Sequence, residues 1–267
     1  MKSVGVKNGR ILLMKKKIII ANWKMNPLDI DAATELFKKI KNNAPKFSNV
    51  KTIICPPFVY LGELSLMYSG SKISLGAQDS FWENNGSFTG EISPYQITDL
   101  GADYVILGHS DRRALGETNE IVNKKIKTAI SAGLNVILCI GESERDDDGE
   151  YLRFIEEEIK ESLKGISKNN LSKIIIAYEP IWAIGKSKNE AMKPANVYEM
   201  KLFILKVLKN IYDASVMETK ILYGGSSGPE NTESLIKEGE VDGLLVGHES
   251  LIASHFLEII KIADGIK

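Results

Sequence analysis

The chain has 267 residues, 43% hydrophobic and 26% charged, a composition ordinary for a globular protein. Lys and Arg number 34 against 35 Asp and Glu, a formal net charge of -1, which argues against a broad basic footprint for nucleic acid and against an acidic disordered tail. A core of this size can stand without disulfides or a structural metal. The cysteines, Cys55 and Cys139, sit inside apolar runs with no disulfide framework or metal spacing, so they read as buried free thiols in a reducing compartment. No apolar run approaches the ~18 residues of a membrane span. The basic N-terminus lacks the apolar region of a signal peptide, and a cytoplasmic protein is expected.

Residues 1–13 show no sustained periodicity, and Met14 stands just before Lys15-Lys16-Lys17. This segment reads as a loosely held N-terminal extension, with a short extra strand over residues 11–13 as the competing reading. From Met14 onward one pattern recurs, a short β-branched apolar run followed by a stretch with helical spacing. The runs start at Ile18, Thr52, Ile73, Tyr104, Val136, Ile174, Ile221 and Gly243. Runs this short and apolar, without alternation, suit parallel strands buried on both faces. Amphipathic stretches at 30–42, 117–131, 150–164, 195–212 and 250–263 lie between them. In the third, Leu152, Ile155, Ile159 and Leu163 share one side and Glu156, Glu157, Lys160 and Glu161 the other. Eight such units with right-handed crossovers predict a single-domain (β/α)8 barrel over residues 14–267. No Gly/Ser/Pro-rich linker divides it.

In such a barrel the active site lies at the carboxyl ends of the strands. The polar residues there are Asn22, Lys24, Gln78, Asp79, His109, Ser110, Glu142, Glu179, Ser226 and His248. Glu179 precedes the apolar segment Pro180-Ile181-Trp182-Ala183-Ile184-Gly185, which would strip its hydration, as suits a general base. His109 precedes a helical segment beginning near Ser110, whose N-terminus disfavours an imidazolium and keeps a neutral ring. Asn22 and Lys24 alternate with Trp23 and point one way, so Lys24 offers an anion its charge. Gly224, Gly225, Gly228 and Gly247 cluster after the last two strands, more than tight turns need, and free backbone N–H groups there make an anion nest.

Two other motifs fail on position. Gly185-Lys186-Ser187 ends like a phosphate-binding loop but lacks the first glycine, since Pro180 stands there. Gly224-Gly225-Ser226-Ser227-Gly228 fits a hydrolase nucleophile elbow. Its only downstream acid for a histidine is Asp242, which opens its strand about 13 Å or more from Ser226. His255 falls in the last helix.

The motifs Asn22-Trp23-Lys24-Met25-Asn26, Gly90-Glu91-Ile92-Ser93, Gly108-His109-Ser110, Tyr178-Glu179-Pro180-Ile181-Trp182-Ala183-Ile184-Gly185 and Tyr223-Gly224-Gly225-Ser226 closely resemble those of the triosephosphate isomerase family. The resemblance runs in order from Met14 to the C-terminus. It implies interconversion of dihydroxyacetone phosphate and glyceraldehyde 3-phosphate in glycolysis and gluconeogenesis, with no metal or cofactor. Glu179 would be the base, neutral His109 the electrophile, and Lys24 with Asn22 the stabilisers of developing charge. These are the family's established roles, and the family is a standard instance of tuned acid–base groups beneath a closing lid. The resemblance further implies a lid over residues 180–190 and a phosphate site at Gly185, Ser226, Gly247 and His248. A homodimer follows from it too, in which the loop 79–93 enters the partner with Thr89 near the partner's site. Phe81, Trp82 and Phe88 support that loop's role, since they would otherwise be exposed.

The chain departs from the family pattern in a few places. His248 stands where a second glycine is usual, and Asp111 replaces a glutamate, which shortens its reach toward Lys24. The helix leading to Gly116 is one residue short. The lid tip reads Lys186-Ser187-Lys188 where Thr-Gly-Lys is common, and about two extra residues precede Pro194. Because these changes lie at the lid and phosphate nest, an aldose–ketose isomerase for a four-carbon sugar phosphate is the alternative enzyme. A barrel that only binds phosphorylated metabolites is the non-enzymatic one.

Overall fold

The computed structural model describes residues 5–7, 10–12, 16–185, 191–213, 216 and 218–266. Eight parallel strands close into a ring in sequence order. They are β1 (Lys17–Asn22), β2 (Val50–Cys55), β3 (Ile73–Ala77), β4 (Tyr104–Leu107), β5 (Asn135–Ile140), β6 (Ile174–Tyr178), β7 (Lys220–Tyr223) and β8 (Gly243–Val246). Each falls on one of the apolar runs. Ile18, Ile20, Ile53, Cys55, Ile106, Cys139, Ala177 and Leu222 form one buried cluster in the lumen, while Ile19, Ala21, Ile54, Val105, Leu138 and Ile176 join the larger core beneath the helices. Successive side chains thus enter different cores, and neither face leaves room for a polar alternation.

The helices are α1 (Ile30–Asn43), α2 (Phe58–Leu66), α3 (Pro94–Asp99), α4 (Ser110–Ala114), α5 (Asn119–Ser131), α6 (Glu150–Ser162), α7 (Pro194–Tyr212), α8 (Pro229–Lys237) and α9 (Ala253–Gly265). Their starts are chemically marked. Asp29 accepts from the Ala32 N–H, Thr118 from Ile121, and Asp146 from both Glu150 and Tyr151. Ser93 and Gln96 form a reciprocal capping box around Pro94. Each fully buried isoleucine contributes about 1.5–3 kcal/mol. Exposed pairs such as Lys39–Glu35 contribute under about 1 kcal/mol, so apolar burial sets where the helices lie. Outside the ring, Gly5–Lys7 pairs antiparallel with Arg10–Leu12. Residues 1–4, 8–9 and 13 of the expected extension lie outside the described residues. Among the described residues no helix is long and apolar enough to cross a membrane.

Two expectations need correction. Asp79, placed by the sequence among the mouth residues, turns instead to Lys125 (2.7 Å) and Arg112 (3.0 Å). Lys125 is 1% exposed and also pairs with Glu117. A buried ammonium needs such partners, and a loop carboxylate and the α4–α5 connection supply them. The aromatic residues of the loop 79–93 are not all left exposed either. Phe81 is buried, with ring centroids 4.0 Å from Trp82 and 4.7 Å from Phe88, and only Phe88 stays largely exposed. Lys125→Met removes the buried cation that Asp79 and Glu117 share and leaves them only the half-exposed Arg112. It should lower unfolding free energy by about 3–5 kcal/mol in urea titration, and a loss below about 1 kcal/mol would show the cluster to be dispensable.

Candidate active site

The parallel ring places every strand's carboxyl end on one rim, where a cleft of about 400 Å³ opens. Asn22, Lys24, His109, Glu179, Gly185, Ser226, Gly247 and His248 all line it. Gln78 stands behind it and donates to the Lys24 carbonyl (2.8 Å) and the Cys55 carbonyl (2.9 Å). Lys24 has φ 51, a left-handed backbone that an L residue adopts only under constraint. Its N–H donates to Asn22 Oδ1 at 3.0 Å, so Asn22 and Gln78 together hold the bend. The Lys24 ammonium pairs with Asp111 Oδ2 at 3.0 Å. The shorter aspartate therefore keeps the contact expected to loosen, because the flexible lysine stem covers the missing methylene.

His109 caps α4, and its Nδ1 accepts from the Asp111 N–H at 3.0 Å. A ring nitrogen that accepts carries no proton, so the imidazole is neutral with its proton on Nε2. The Asp111 carboxylate lies 3.6 Å from Nδ1, but Lys24 already engages it more closely. Nε2 lies 3.2 Å from Glu179 Oε1.

Glu179 is 2% exposed and extends from β6, with its N–H donating to Ile140 O at 2.8 Å. Its seat depends on glycines. A Cβ at Gly224 would sit 2.7 Å from Glu179 Cγ, and one at Gly141 only 1.8 Å from the Glu179 carbonyl oxygen. Besides the imidazole, the carboxylate receives the Ser110 N–H at 3.3 Å and the thiol of Cys139. Cys139 lies beneath, and burial together with the Glu179 charge pushes its thiol well up, so it stays protonated.

Sequence reasoning did not assign a role to Glu142. Its carboxylate accepts from the Tyr178 hydroxyl (2.8 Å), Trp182 Nε1 (2.9 Å) and Arg145 Nε (3.0 Å). This clamp fixes the start of the segment after Glu179, whose residues 186–190, including Lys186, Ser187 and Lys188, lie outside the described residues. Thr89 is exposed on the loop 79–93, away from the cleft lining.

The family model described as triosephosphate isomerase matches residues 17–263. A triosephosphate isomerase of Thermoanaerobacter sp. (strain X514) is 41% identical over 254 residues, covering 93% of this chain and all of that protein. That of Dictyoglomus thermophilum is 42% identical over 252 residues, with 93% of this chain and 100% of the relative covered. That of Dehalococcoides mccartyi is 43% identical over 257 residues, covering 95% and 100%. With the eight-stranded ring and the match over nearly its whole length, the chain belongs to the triosephosphate isomerase family.

Proposed function

We propose that the chain interconverts dihydroxyacetone phosphate and D-glyceraldehyde 3-phosphate through an enediolate, with Glu179 as base and neutral His109 as electrophile. The observation that carries this reading is the 3.2 Å approach of Glu179 Oε1 to His109 Nε2 on the cleft floor. In the free site these two satisfy each other, and a substrate entering between them frees both. The carboxylate then takes a proton from one carbon, and the electron pair moves to form the C=C bond while charge collects on the carbonyl oxygen. The His109 Nε2–H and the Lys24 ammonium face that oxygen. Return of the proton to the neighbouring carbon, with a hydroxyl proton passing between the two oxygens at Nε2, completes the isomerisation. Losing one such preorganised donor typically costs about 3–4 kcal/mol of barrier.

Backbone N–H groups at Gly185, Ser226, Gly247 and His248 hold the phosphate in this reading, which fits the glycine-rich turn after β7. The exposed side chain of His248 lets its backbone take part without filling the nest. Buried thiols at Cys55 and Cys139 suit a reducing cytoplasm, where the reaction serves glycolysis and gluconeogenesis. A homodimer fits the exposed apolar residues. Met25, Leu28, Val59, Leu66 and Leu115 are each more than 75% exposed, and all follow β1, β2 or β4, in the same part of the ring as the loop 79–93.

Replacing Glu179 with Ala should lower kcat by about 10²–10⁴-fold, and purified wild type isomerising no faster than the variant would end the enzymatic reading. Assays with triose and four-carbon sugar phosphates should give the higher kcat/KM for the triose, and the reverse order would install the alternative substrate. His248→Gly should keep or tighten the affinity for a phosphate-bearing analogue in calorimetry, whereas a large loss would make the imidazole itself a ligand. Leu115→Glu should shift a sedimenting dimer toward monomer, and a wild type that already sediments as a monomer would remove the dimer.

A further inference from the structure

Glu158 lies on the inward side of α6 and is 1% exposed, in a helix whose other inward residues are apolar or small. Its Oε2 accepts from the Gly141 N–H at 2.8 Å, and its Oε1 stands 3.3 Å from Arg113 Nε. Each contact leads to one member of the reacting pair. Gly141 packs so tightly on the Glu179 backbone that no side chain fits between them. Arg113 Nε donates to Gly108 O at 2.7 Å, the peptide group that precedes His109, and another of its nitrogens donates to Asn119 Oδ1 at 2.6 Å. One carboxylate therefore holds, from behind, both backbone segments that carry the candidate base and electrophile.

An amide would serve Gly141 equally well, so hydrogen bonding does not explain why this group carries a charge. Oε1 makes no hydrogen bond among the described residues, because the nearest Arg113 N–H is given to Gly108. What remains at that oxygen is the Coulombic attraction to the guanidinium, which depends on ionisation. We propose that Glu158 is a positioning residue for the isomerisation, its ionised form holding Gly141 and Arg113 so that Glu179 and His109 keep their reacting geometry. The role rests on the reading that Glu179 and His109 act on the substrate.

The charged groups bearing on Glu158 are Arg113 from α4, Glu142 beyond β5 and Glu179 beyond β6. Burial, opposed by Arg113 and the Gly141 N–H and reinforced by the two carboxylates, pushes the Glu158 carboxyl up to about 7. It thus changes form near neutral pH. Below that point the neutral acid releases Arg113, and above it the pair is made.

The test is kcat for wild type and E158Q from pH 5.5 to 8.5, since glutamine fixes the uncharged form at every pH. Dividing one profile by the other cancels the ionisation of the substrate's phosphate. The ratio of wild type to E158Q should rise from near unity at the acid end to on the order of tenfold at the alkaline end, the scale of a small misplacement of reacting groups. A ratio constant across the range overturns the proposal, since a merely structural glutamate would lower both ends alike. A second measurement needs only wild type. In a sample labelled with ¹⁵N-glycine, the Gly141 amide should move with an inflection near pH 7, and a Gly141 signal indifferent to pH overturns the proposal even if E158Q fails to fold. Glu179→Ala assayed alongside separates the two readings. An active Glu179→Ala removes the catalytic assignment, whereas an inactive one beside a flat E158Q ratio removes only the role of Glu158.

Discussion

Closure of the ring is the constraint from which the rest follows. β8 pairs with β1 from Gly243↔Ile18 to Val246↔Ala21. A Cβ at Gly243 would lie 1.7 Å from the Ile18 carbonyl oxygen, so the seam admits no side chain there. With the seam closed and all strands parallel, every strand must end on the same rim. Asn22 from the first strand, His109 beyond the fourth, Glu179 beyond the sixth and Gly247 beyond the eighth then face one cleft without any local sequence relation between them. An open sheet of the same elements would keep β1 and β8 at opposite edges and leave the cleft half-walled.

Within that rim, three buried carboxylates share one quarter of the barrel, and they differ in how well they are satisfied. Burying an ionised carboxylate costs several kcal/mol unless donors replace its water. Glu142 has Tyr178, Trp182 and Arg145, all within 3.0 Å of Oε1. Glu158 has the Gly141 N–H and a cation. Glu179 has an N–H at 3.3 Å and an imidazole at 3.2 Å, both at the long end of hydrogen bonding, and the weak donor of the Cys139 thiol. Among the described residues Glu179 is the one of the three with no arginine or lysine beside it, and it faces the cleft, which is where a base that must accept a proton from carbon is useful. The other two anchor the residues that directly follow Glu179 and the backbone behind it.

The strands were legible because burial on both faces leaves a run with no polar residue, and Ile174 to Tyr178 shows this plainly. The candidate site was legible because polar residues directly after such runs have few places to go once the ring closes. What escaped the sequence were charges buried by partners far along the chain. Lys125 and Glu158 sit on helices whose spacing says nothing of Asp79 or Arg113, since pairing between distant elements has no period. The same limit applies to Phe81. Its burial comes from Trp82 and Phe88 folding onto it within the loop, and an aromatic-rich loop reads identically whether it packs on itself or on a neighbour.

The two ends of the cleft differ in what this chain has changed. Beside the proposed proton-transfer groups, Asp111, one of the departures from the family pattern, keeps its ion pair with Lys24 at hydrogen-bond distance. At the opposite end His248 and Glu249 open the turn after β8, and Glu249 pairs with His255 of α9 at 2.6 Å. If the phosphate sits there, these side chains touch a part of the substrate that does not react and is charged alike before and during proton transfer. Interactions equal in ground and transition states alter KM and leave kcat in place. A carboxylate at the rim of an anion nest also opposes a dianion, and its pairing with an imidazole partly offsets that repulsion. The side chains of His248 and Glu249 are thus placed where they can adjust how firmly the substrate is held while leaving the geometry of Glu179 and His109 untouched.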